Sequence, residues 1–443
     1  MAPPRRPPTL QPAPRGVDAA VAALLRGPMK MTPDSSLTPE LQRRGRRLAI
    51  ASHPLGMTHR LVYTDQLPTL VLVALGASDT LIGLQRTFEP LGQLLQLPTL
   101  RAVGRFRKRQ ILIAGQIIAV VGGLPLLAFG WLAAAPAPWP IMLTLLSFAV
   151  AATGIVVSQT VWFPLLRGFV EPERIGHFFG LLRSGWHLTL IFYFLVAQRW
   201  LDVHPGSFAP LFAVAALAGI LRIALLARFP EAPGERGDHV RIREALALLL
   251  TEPALRRYLL GAILAGSARR VMVPFVIVLM RRVLGLTGAD VLLATVAFYA
   301  GGFASLYLWG RAVDRFGPLP IFRVTAGGLA VLYLALFVVG EGSNAVAPMV
   351  AFFFLLALLA SGFGVADTHV LFGLAPTRAP TRILVVADVT SSLVYGLTPF
   401  AAGTALDLAT AAGVTPLTAY RTLFVCAAAA TLLALVPLRH FRR

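Results

Sequence analysis

The sequence predicts an all-α integral membrane protein in which twelve transmembrane helices form two similar bundles of six. Of the 443 residues, 56% are hydrophobic and only 14% are charged, whereas soluble domains average about 25% charged residues. About twelve apolar stretches follow one another, each near the roughly 20 residues that a spanning helix needs. A short basic sequence also occurs twice, at the same place relative to these stretches.

The apolar stretches divide the chain into bundles, a linker and two tails. The predicted helices lie near 46–74, 79–99, 110–134, 140–167, 177–198, 207–228, 256–281, 288–309, 318–340, 346–373, 381–405 and 416–438, and the first is the least apolar. The resulting regions are a disordered tail (1–45), an N-terminal bundle (46–228), a linker with an amphipathic helix (229–255), a C-terminal bundle (256–438) and a C-terminus (439–443).

The charges of the connecting segments predict the orientation. Loops that follow even-numbered helices carry most of the basic residues, and loops on the opposite side are nearly bare, with Arg199, Arg281 and Arg282 as exceptions. Because basic loops stay in the cytoplasm, we expect both termini there. The net charge of +20 therefore reflects loop arginines, and no nucleic-acid partner is expected. The arginine- and alanine-rich composition indicates a bacterial protein, hence one of the cytoplasmic (inner) membrane.

An internal repeat relates the two bundles. Arg-Ala-Val-Gly-Arg-Phe at 101–106 recurs as Arg-Ala-Val-Asp-Arg-Phe at 311–316. Leu-Gly at 75–76 and at 284–285, and Pro-x-Arg-Ile at 172–175 and 380–383, recur at nearly the same offset. Since both copies have the same orientation, we expect two halves related by an axis along the membrane normal.

The second copy of the basic sequence carries a recognisable motif. Residues 310–317 are Gly-Arg-Ala-Val-Asp-Arg-Phe-Gly, which resembles the loop signature Gly-x-x-x-Asp-Arg-x-Gly of the major facilitator superfamily. In the first copy Leu100 and Gly104 replace the first Gly and the Asp. The resemblance covers 46–438 and implies a secondary transporter that works by alternating access. The fourth helix lacks the arginine of many proton-coupled relatives, and the fifth lacks the Gly-Pro pattern of drug antiporters. The resemblance therefore predicts neither drug efflux nor one specific coupling scheme for this chain.

The motif predicts a conformational latch on the cytoplasmic side. Asp314 can accept hydrogen bonds from helix N-termini or pair with a nearby arginine, and such a latch must break when that side opens. The residues of the predicted latch are Gly310, Asp314, Arg315, Gly317 and Arg105. The alternative is a plain turn, in which Gly allows the chain to reverse and the charges only set the orientation.

Arginines within the apolar segments predict where a substrate binds. Ionisable residues at bilayer depth are costly and mark functional sites. The repeat places Arg60 and Arg269 at equal depth on helices that face each other, and two guanidiniums suit bidentate binding of phosphate or carboxylate. This layout is similar to that of organophosphate/phosphate antiporters of the superfamily. Arg270 projects about 100° away from Arg269, so we expect only one of the two to face the cavity. Arg86 and His187 complete the substrate-binding candidates.

Carboxylates within the membrane predict proton coupling. Asp65 lies roughly 15 Å from the end of its helix, near the midplane, which makes it the leading proton carrier. The other candidates are Glu89, Asp367 and Asp388. Alternatives stay open for several of these groups. Arg60 can pair with Asp65 or Glu89, and Arg86 with Glu89, three residues away.

The partners of the remaining groups also stay open. Arg269 or Arg270 can pair with Asp367 or Asp388, or snorkel towards the interface. His187 is either a polar contact between helices or a proton carrier.

The predicted function is secondary transport of a small solute, with an excess of buried arginine and histidine weakly favouring an anion, by proton coupling or antiport. One rival is a lipid or amphiphile flippase, or an efflux pump, on the same fold. Another is a non-transporting scaffold, which predicts that every buried charge is paired internally. No nucleotide-binding loop, metal motif or catalytic constellation is recognisable, so neither a cofactor nor enzymatic activity is expected. The expected partners are a small-molecule substrate and the lipid bilayer, and the chain is expected to be a monomer.

Overall fold

The computed structural model describes residues 37–102, 105–166, 169–170, 175–230, 252–339, 345–374 and 380–439, and shows a helical bundle. The predicted amphipathic helix of the linker and most of the predicted tail lie outside these residues. The first helix begins at Pro39, so the prediction of disorder is wrong for residues 39–45. Thr38 caps this helix by accepting a hydrogen bond from the Leu41 amide, and Pro39 at the first helical position favours initiation.

The N-terminal half contains six helical segments at the predicted positions, three of them interrupted. They are α1a (Pro39–Thr64), α1b (Gln66–Ala74), α2a (Asp79–Gly92), α2b (Gln96–Ala102), α3a (Lys108–Gly123), α3b (Phe129–Ala134), α4 (Trp139–Leu166), α5 (Ile175–Val203) and α6 (Ala209–Leu226). Single 3₁₀ turns join α2a to α2b and α3a to α3b.

The C-terminal half repeats this arrangement. Its segments are α7 (Pro253–Val278, extended by a π-helical turn at Leu279–Val283), α8 (Gly288–Phe316), α9 (Pro318–Ala335), α10 (Val346–Leu374), α11 (Pro380–Ala411), α12a (Pro416–Leu433) and α12b (Leu435–Leu438). The two Leu-Gly positions of the sequence repeat are equivalent in structure, because Gly76 and Gly285 both adopt positive φ directly after their helices. Such left-handed turns favour glycine.

Nine of the helical segments, counted within the described residues, are long and apolar enough to cross a membrane. The helices that do not meet these criteria of length and hydropathy are α1, α2 and α11. They carry most of the charged groups predicted at bilayer depth. Such groups are tolerated where they face a bundle interior or a hydrated cavity. The chain is therefore a multi-pass membrane protein whose most polar helices lie inside.

Helix α1 is broken at Asp65, whose φ and ψ of −104° and −124° are not helical. The cause lies three residues further on. Pro68 has no amide hydrogen to donate to the Thr64 carbonyl, and its ring crowds that carbonyl, which favours a break of the helix at this point. The break leaves the Thr64 oxygen available to another donor in the middle of the bundle.

The two halves meet along α2 with α11 and along α5 with α8. Glycine permits the closest approach: a Cβ at Gly403 would overlap the Asp79 carbonyl oxygen, and a Cβ at Gly83 would overlap the Pro399 carbonyl oxygen. Small residues at such crossings let helix backbones pack tightly in membranes.

The apolar core distinguishes the two ends of the bundle. One cluster contains residues of both halves, among them Leu67 and Leu70 with Met280 and Leu292. This cluster lies at the end of the bundle that contains Gly76 and Gly285. We call it the outer end, because the loop charges predict that it faces away from the cytoplasm. At the opposite, inner end the core is divided into one cluster per half, around Trp162 in the N-terminal half and Phe322 in the C-terminal half.

We predict that Gly403→Ala weakens the contact of α2 with α11, because the added methyl group meets backbone atoms that cannot move aside. The expected loss is about 1–3 kcal/mol in the free energy of unfolding. It should be accompanied by faster thiol labelling of a cysteine at the buried position Ala77, in a Cys426→Ser background. Gly327→Ala is the matched control, since a Cβ there meets nothing within 4 Å. Equal behaviour of the two variants would contradict the prediction.

Candidate functional site

A cavity of about 190 Å³ lies between the halves, near the middle of the bundle. Residues of α1, α2, α4, α7, α8 and α11 line it: Leu61, Thr64, Asp65, Gln85, Arg86, Phe88, Glu89, Pro90, Ala152, Arg269, Arg270, Val273, Pro274, Phe298 and Pro399. The cavity thus contains five of the residues predicted for substrate binding or proton coupling. Pro90, Pro274 and Pro399, each inside a helix, also line it, as expected where helices are irregular around a site.

Arg60 is bound to Glu89 rather than to a substrate position. Both its Nε, at 3.0 Å, and its Nη2 donate to Glu89 Oε1. This is one of the two pairings that sequence reasoning left open. The prediction that Arg86 pairs with Glu89, three residues away on the same helix, is wrong, because Glu89 accepts from Arg60 instead. Arg60 is therefore neutralised, and the predicted clamp of Arg60 with Arg269 is not formed.

Asp65 connects three helices at the break of α1. Its Oδ2 accepts a 2.5 Å hydrogen bond from Tyr299 of α8, in the other half. Its Oδ1 lies 3.8 Å from Arg86 Nη1 of α2a. Next to it, Gln66 accepts a hydrogen bond from Thr295 of α8. The predicted proton carrier thus lies at a contact between the halves, and a change in its charge acts on both.

Arg269 and Arg270 both line the cavity, so the expectation that only one of them does is wrong. The cavity extends around α7, whose neighbours at this level belong to both halves, and long arginine side chains reach it from adjacent positions. Arg270 lies over the Tyr395 ring, with Cζ 4.8 Å from the ring centroid. Within the described part of the chain neither arginine has a carboxylate within 4 Å, so the pairing with Asp367 or Asp388 that the sequence left open is present only as a longer-range attraction, of Asp367 for Arg269 and of Asp388 for Arg270.

The other predicted residues lie away from the cavity lining. The Nδ1 atom of His187 lies 2.8 Å from the Arg183 carbonyl oxygen of its own helix, and its ring stacks on Trp186 and lies 6.4 Å from the Phe303 ring of α8. Asp367 accepts a 2.9 Å hydrogen bond from Tyr258 of α7. Asp388 of α11 accepts a 3.0 Å hydrogen bond from Gln96 of α2b, which joins the halves on the inner side of the cavity.

The predicted latch is not engaged in this structure. Asp314 is exposed and, among the described residues, makes neither an ion pair nor a hydrogen bond, while Arg315 lies over the Phe316 ring. The chain reverses at Gly317, whose φ is +78°. Gly310, the first glycine of the motif, lies within α8, which continues to Phe316. Arg105 is exposed beside residues that are not described. The latch stays a prediction for another conformation.

Sequence reasoning missed a polar network at the outer end, the Asp79 network. The buried Asp79 carboxylate accepts from Arg282 at 2.7 Å and from Tyr420 at 2.7 Å, both in the other half. Asp407 of α11 in turn accepts from the Asp79 and Thr80 amides at 3.2 and 2.8 Å, where a carboxylate stabilises a helix N-terminus. The signal was Arg282, an exception to the bare outer loops.

Burial of the contacts between halves indicates which end is closed. At the outer end Asp79 is 4% exposed, and Gln66, Thr295 and Tyr299 are also buried. In contrast, Arg270 and Asp388 are exposed, although both lie between the halves. Together with the divided core of the inner end, this describes a conformation sealed at the outer end and accessible to solvent from the inner side.

Comparisons with known proteins agree with this architecture. The family model described as Major Facilitator Superfamily matches residues 64–399. A search of the curated proteins finds no match to this chain.

Solved structures with the same fold share little sequence with the chain. A bacterial homologue of the human lysosomal transporter Spinster has a TM-score of 0.66 at 15% identity, covering 91% of this chain and 98% of its own. The nucleoside transporter NupG has a TM-score of 0.64 at 11% identity, covering 90% and 98%. The xylose transporter XylE from E. coli has a TM-score of 0.63 at 14% identity, covering 90% and 99%.

We predict that Arg282→Gln is strongly destabilising, because it leaves the buried Asp79 carboxylate without its cation. Removal of one partner of a buried ion pair costs about 3–5 kcal/mol. The double variant Asp79→Asn with Arg282→Gln should recover part of this loss in thermal unfolding of the detergent-purified protein. Arg199→Gln is the control, since it breaks an exposed pair with Asp202 and should cost about 1 kcal/mol or less. If Arg282→Gln is no less stable than this control, the network does not hold the outer end.

Proposed function

Since this chain belongs to the major facilitator superfamily of membrane transporters, we propose that it is a secondary transporter for a small organic anion. The solute binds in the cavity between the halves, and rocking of the halves exposes it to each side of the membrane in turn. The observation that carries this proposal is the pair Arg269 and Arg270, two guanidiniums at the cavity that make no direct ion pair with a described carboxylate.

The balance of charge at the cavity favours an anionic solute. Asp65 and Glu89 lie near Arg86 and Arg60 respectively, whereas Arg269 and Arg270 make no direct ion pair and interact with Asp367 and Asp388 only at longer range. The cavity lining thus contains three arginines and two carboxylates. An uncompensated charge at bilayer depth is costly, and a bound carboxylate or phosphate relieves that cost. Arginine is suited to such groups, because its planar fork donates two parallel hydrogen bonds.

The other lining residues restrict the size and character of the solute. A cavity of about 190 Å³ is below the roughly 300–1,000 Å³ of sites for drug-sized ligands, which favours a small molecule. Phe88, Val273 and Phe298 provide an apolar wall opposite the charged groups. We therefore infer a solute that combines a carboxylate or phosphate ester with a compact apolar or neutral part.

The chain has residues that can close the bundle at its outer end and, in the predicted latch, at its inner end. The conformation described is closed at the outer end by the Asp79 network and open to solvent at the inner side. Asp314 makes no ion pair among the described residues, which is compatible with a latch that forms only when the inner side closes. With the orientation that the loop charges predict, the solute site is accessible from the cytoplasm, in the cytoplasmic membrane of a bacterium with both termini inside.

Asp65 is the group that we propose to couple transport to protons. It is the only described carboxylate at the cavity that bonds to both halves, through Arg86 of α2a and Tyr299 of α8. A proton on Asp65 removes its negative charge, and with it the attraction for Arg86, and adds a hydrogen-bond donor to a group that otherwise only accepts. Since the halves must separate at this level when the outer end opens, its protonation state biases the rocking equilibrium.

The unpaired arginines also discriminate against a rival. A non-transporting scaffold predicts that buried charges are paired internally, and Arg269 and Arg270 do not fulfil that prediction among the described residues. A flippase needs an apolar path from the cavity to lipid. The open apolar groove between α8 and α10, lined by Leu293, Ala297 and Phe354 among others, shares no lining residue with the cavity.

We predict that Arg269→Gln and Arg270→Gln each abolish the stabilisation of the purified protein by its anionic solute. The measurement is a thermal-stability screen with phosphate esters, carboxylates, neutral sugars, lipophilic cations and lysolipids. Each lost bidentate contact should weaken binding by about 1.5–3 kcal/mol, roughly ten- to a hundredfold in Kd.

Arg60 provides the matched control for this prediction. Arg60→Gln should also weaken anion binding, because it leaves Glu89 negative beside the cavity, but the double variant with Glu89→Gln should restore binding. No such rescue is expected for Arg269→Gln. Anion binding that survives in both Arg269→Gln and Arg270→Gln would refute the proposed site, and a response to lysolipids alone would favour the flippase.

We predict that Asp65→Asn removes the pH dependence of solute transport in proteoliposomes. The amide oxygen still accepts from Tyr299, but the group cannot titrate, so only the coupling should change. Asp202→Asn, which alters an exposed pair with Arg199, should leave the pH profile as in the parent. An Asp65→Asn variant with the parent's pH profile would exclude Asp65 as the coupling group.

A further inference from the structure

The break of α1 exposes oxygen atoms in the middle of the bundle. The Thr64 carbonyl loses its α-helical donor because residue 68 is proline. The Thr69 hydroxyl and the Asp65 carboxylate lie within five residues of it, on the same interrupted segment. In discontinuous membrane helices, unwound carbonyls at the C-terminal end of a half-helix are groups that coordinate small cations. The negative end of the dipole of α1a adds to this preference.

These three oxygens are occupied by a side chain of the protein itself. Arg86 Nη1 donates to the Thr64 carbonyl at 3.2 Å, and Nη2 donates to the Thr69 hydroxyl at 3.0 Å. The same Nη1 lies 3.8 Å from Asp65 Oδ1, and the Arg86 side chain is only 11% exposed. The guanidinium therefore occupies the position where the oxygen atoms at the break of α1 favour a positive charge.

We propose that Arg86 is a tethered counter-cation in a latent cation site, and that the site binds a small monovalent cation such as Na⁺ when the arginine side chain is removed. The ligand set supports this assignment, since a carbonyl, a hydroxyl and a carboxylate are hard oxygen donors. The Asp65 carboxylate supplies the negative charge that a metal cation needs among its ligands.

The covalent attachment of the Arg86 guanidinium to the chain affects energy coupling. This step of the inference rests on the proposed transport function. A cation that is part of the chain cannot cross the membrane with the solute, so the break of α1 contributes no metal-ion coupling in the native protein. The charge of Asp65 is balanced from within, and the exchangeable cation that remains for this carboxylate is the proton. The arginine thereby distinguishes this carrier from one that uses a cation gradient at the same position.

The test is the thermal stability of Arg86→Ala in detergent, without any solute. NaCl, LiCl, KCl and methylguanidinium chloride are each compared with choline chloride at equal concentration, which holds chloride and ionic strength constant. We expect a saturable rise in the melting temperature of Arg86→Ala with Na⁺ or methylguanidinium over choline, and no such rise in the parent. Arg86→Lys, which keeps a tethered charge, should resemble the parent.

A second variant locates the effect. Asp65→Asn in the Arg86→Ala background should lose the response to cations, because the charged ligand is gone. The proposal is overturned if Arg86→Ala responds alike to choline and to the smaller cations. It is also overturned if Arg86→Ala cannot be recovered with any of these cations while Arg86→Lys can. Neither result bears on anion binding by Arg269 and Arg270, so this inference and the proposed function fail separately.

Discussion

A guanidinium keeps its charge in any protein environment, and a charge at bilayer depth must be matched or hydrated. This constraint organises the centre of the molecule. Glu89 matches Arg60, and Asp65 with the break of α1 matches Arg86, whereas Arg269 and Arg270 reach the cavity with no described carboxylate within 4 Å. Under the proposed function, these two arginines are the groups that provide binding energy for an anion.

The second determinant is the backbone at Asp65. A continuous α1 would satisfy its own carbonyls and would turn Asp65 away from Thr64 and Thr69. Pro68 prevents this, and the freed Thr64 oxygen is bound by an arginine from the neighbouring helix. The same break orients Asp65 towards Tyr299 of the other half. One proline thus links the local backbone of α1 to the contact between the halves, which is where a carrier needs a group that responds to protonation.

The sequence predicts the architecture and the level of the site better than the partners within it. Periodic apolar segments and the repeat place the helices, and the Leu-Gly pairs mark equivalent turns at Gly76 and Gly285. Spacing along a helix also locates Asp65, Glu89 and Arg269 near one level. It does not tell which neighbouring helix a side chain meets, so Glu89 was left as a possible partner of either Arg60 or Arg86. Asp79, at the first position of a helix, looks like an ordinary N-terminal acid until Arg282 and Tyr420 are seen to converge on it from the other half.

The difference between the outer and inner ends of the bundle indicates which contacts must break and which must form when the halves rock. Opening the outer end separates one apolar cluster that both halves share, together with the bonds of Asp79, Asp65 and Gln66. Polar groups that separate exchange their partners for water at little net cost, whereas apolar surface that becomes exposed costs about 25 cal/mol per Å². The apolar part of this cost must be offset at the inner end, where the clusters around Trp162 and Phe322 are still apart. If those clusters join while the outer cluster divides, the two conformations are close in free energy, and under the proposed coupling the charge state of the cavity then decides between them.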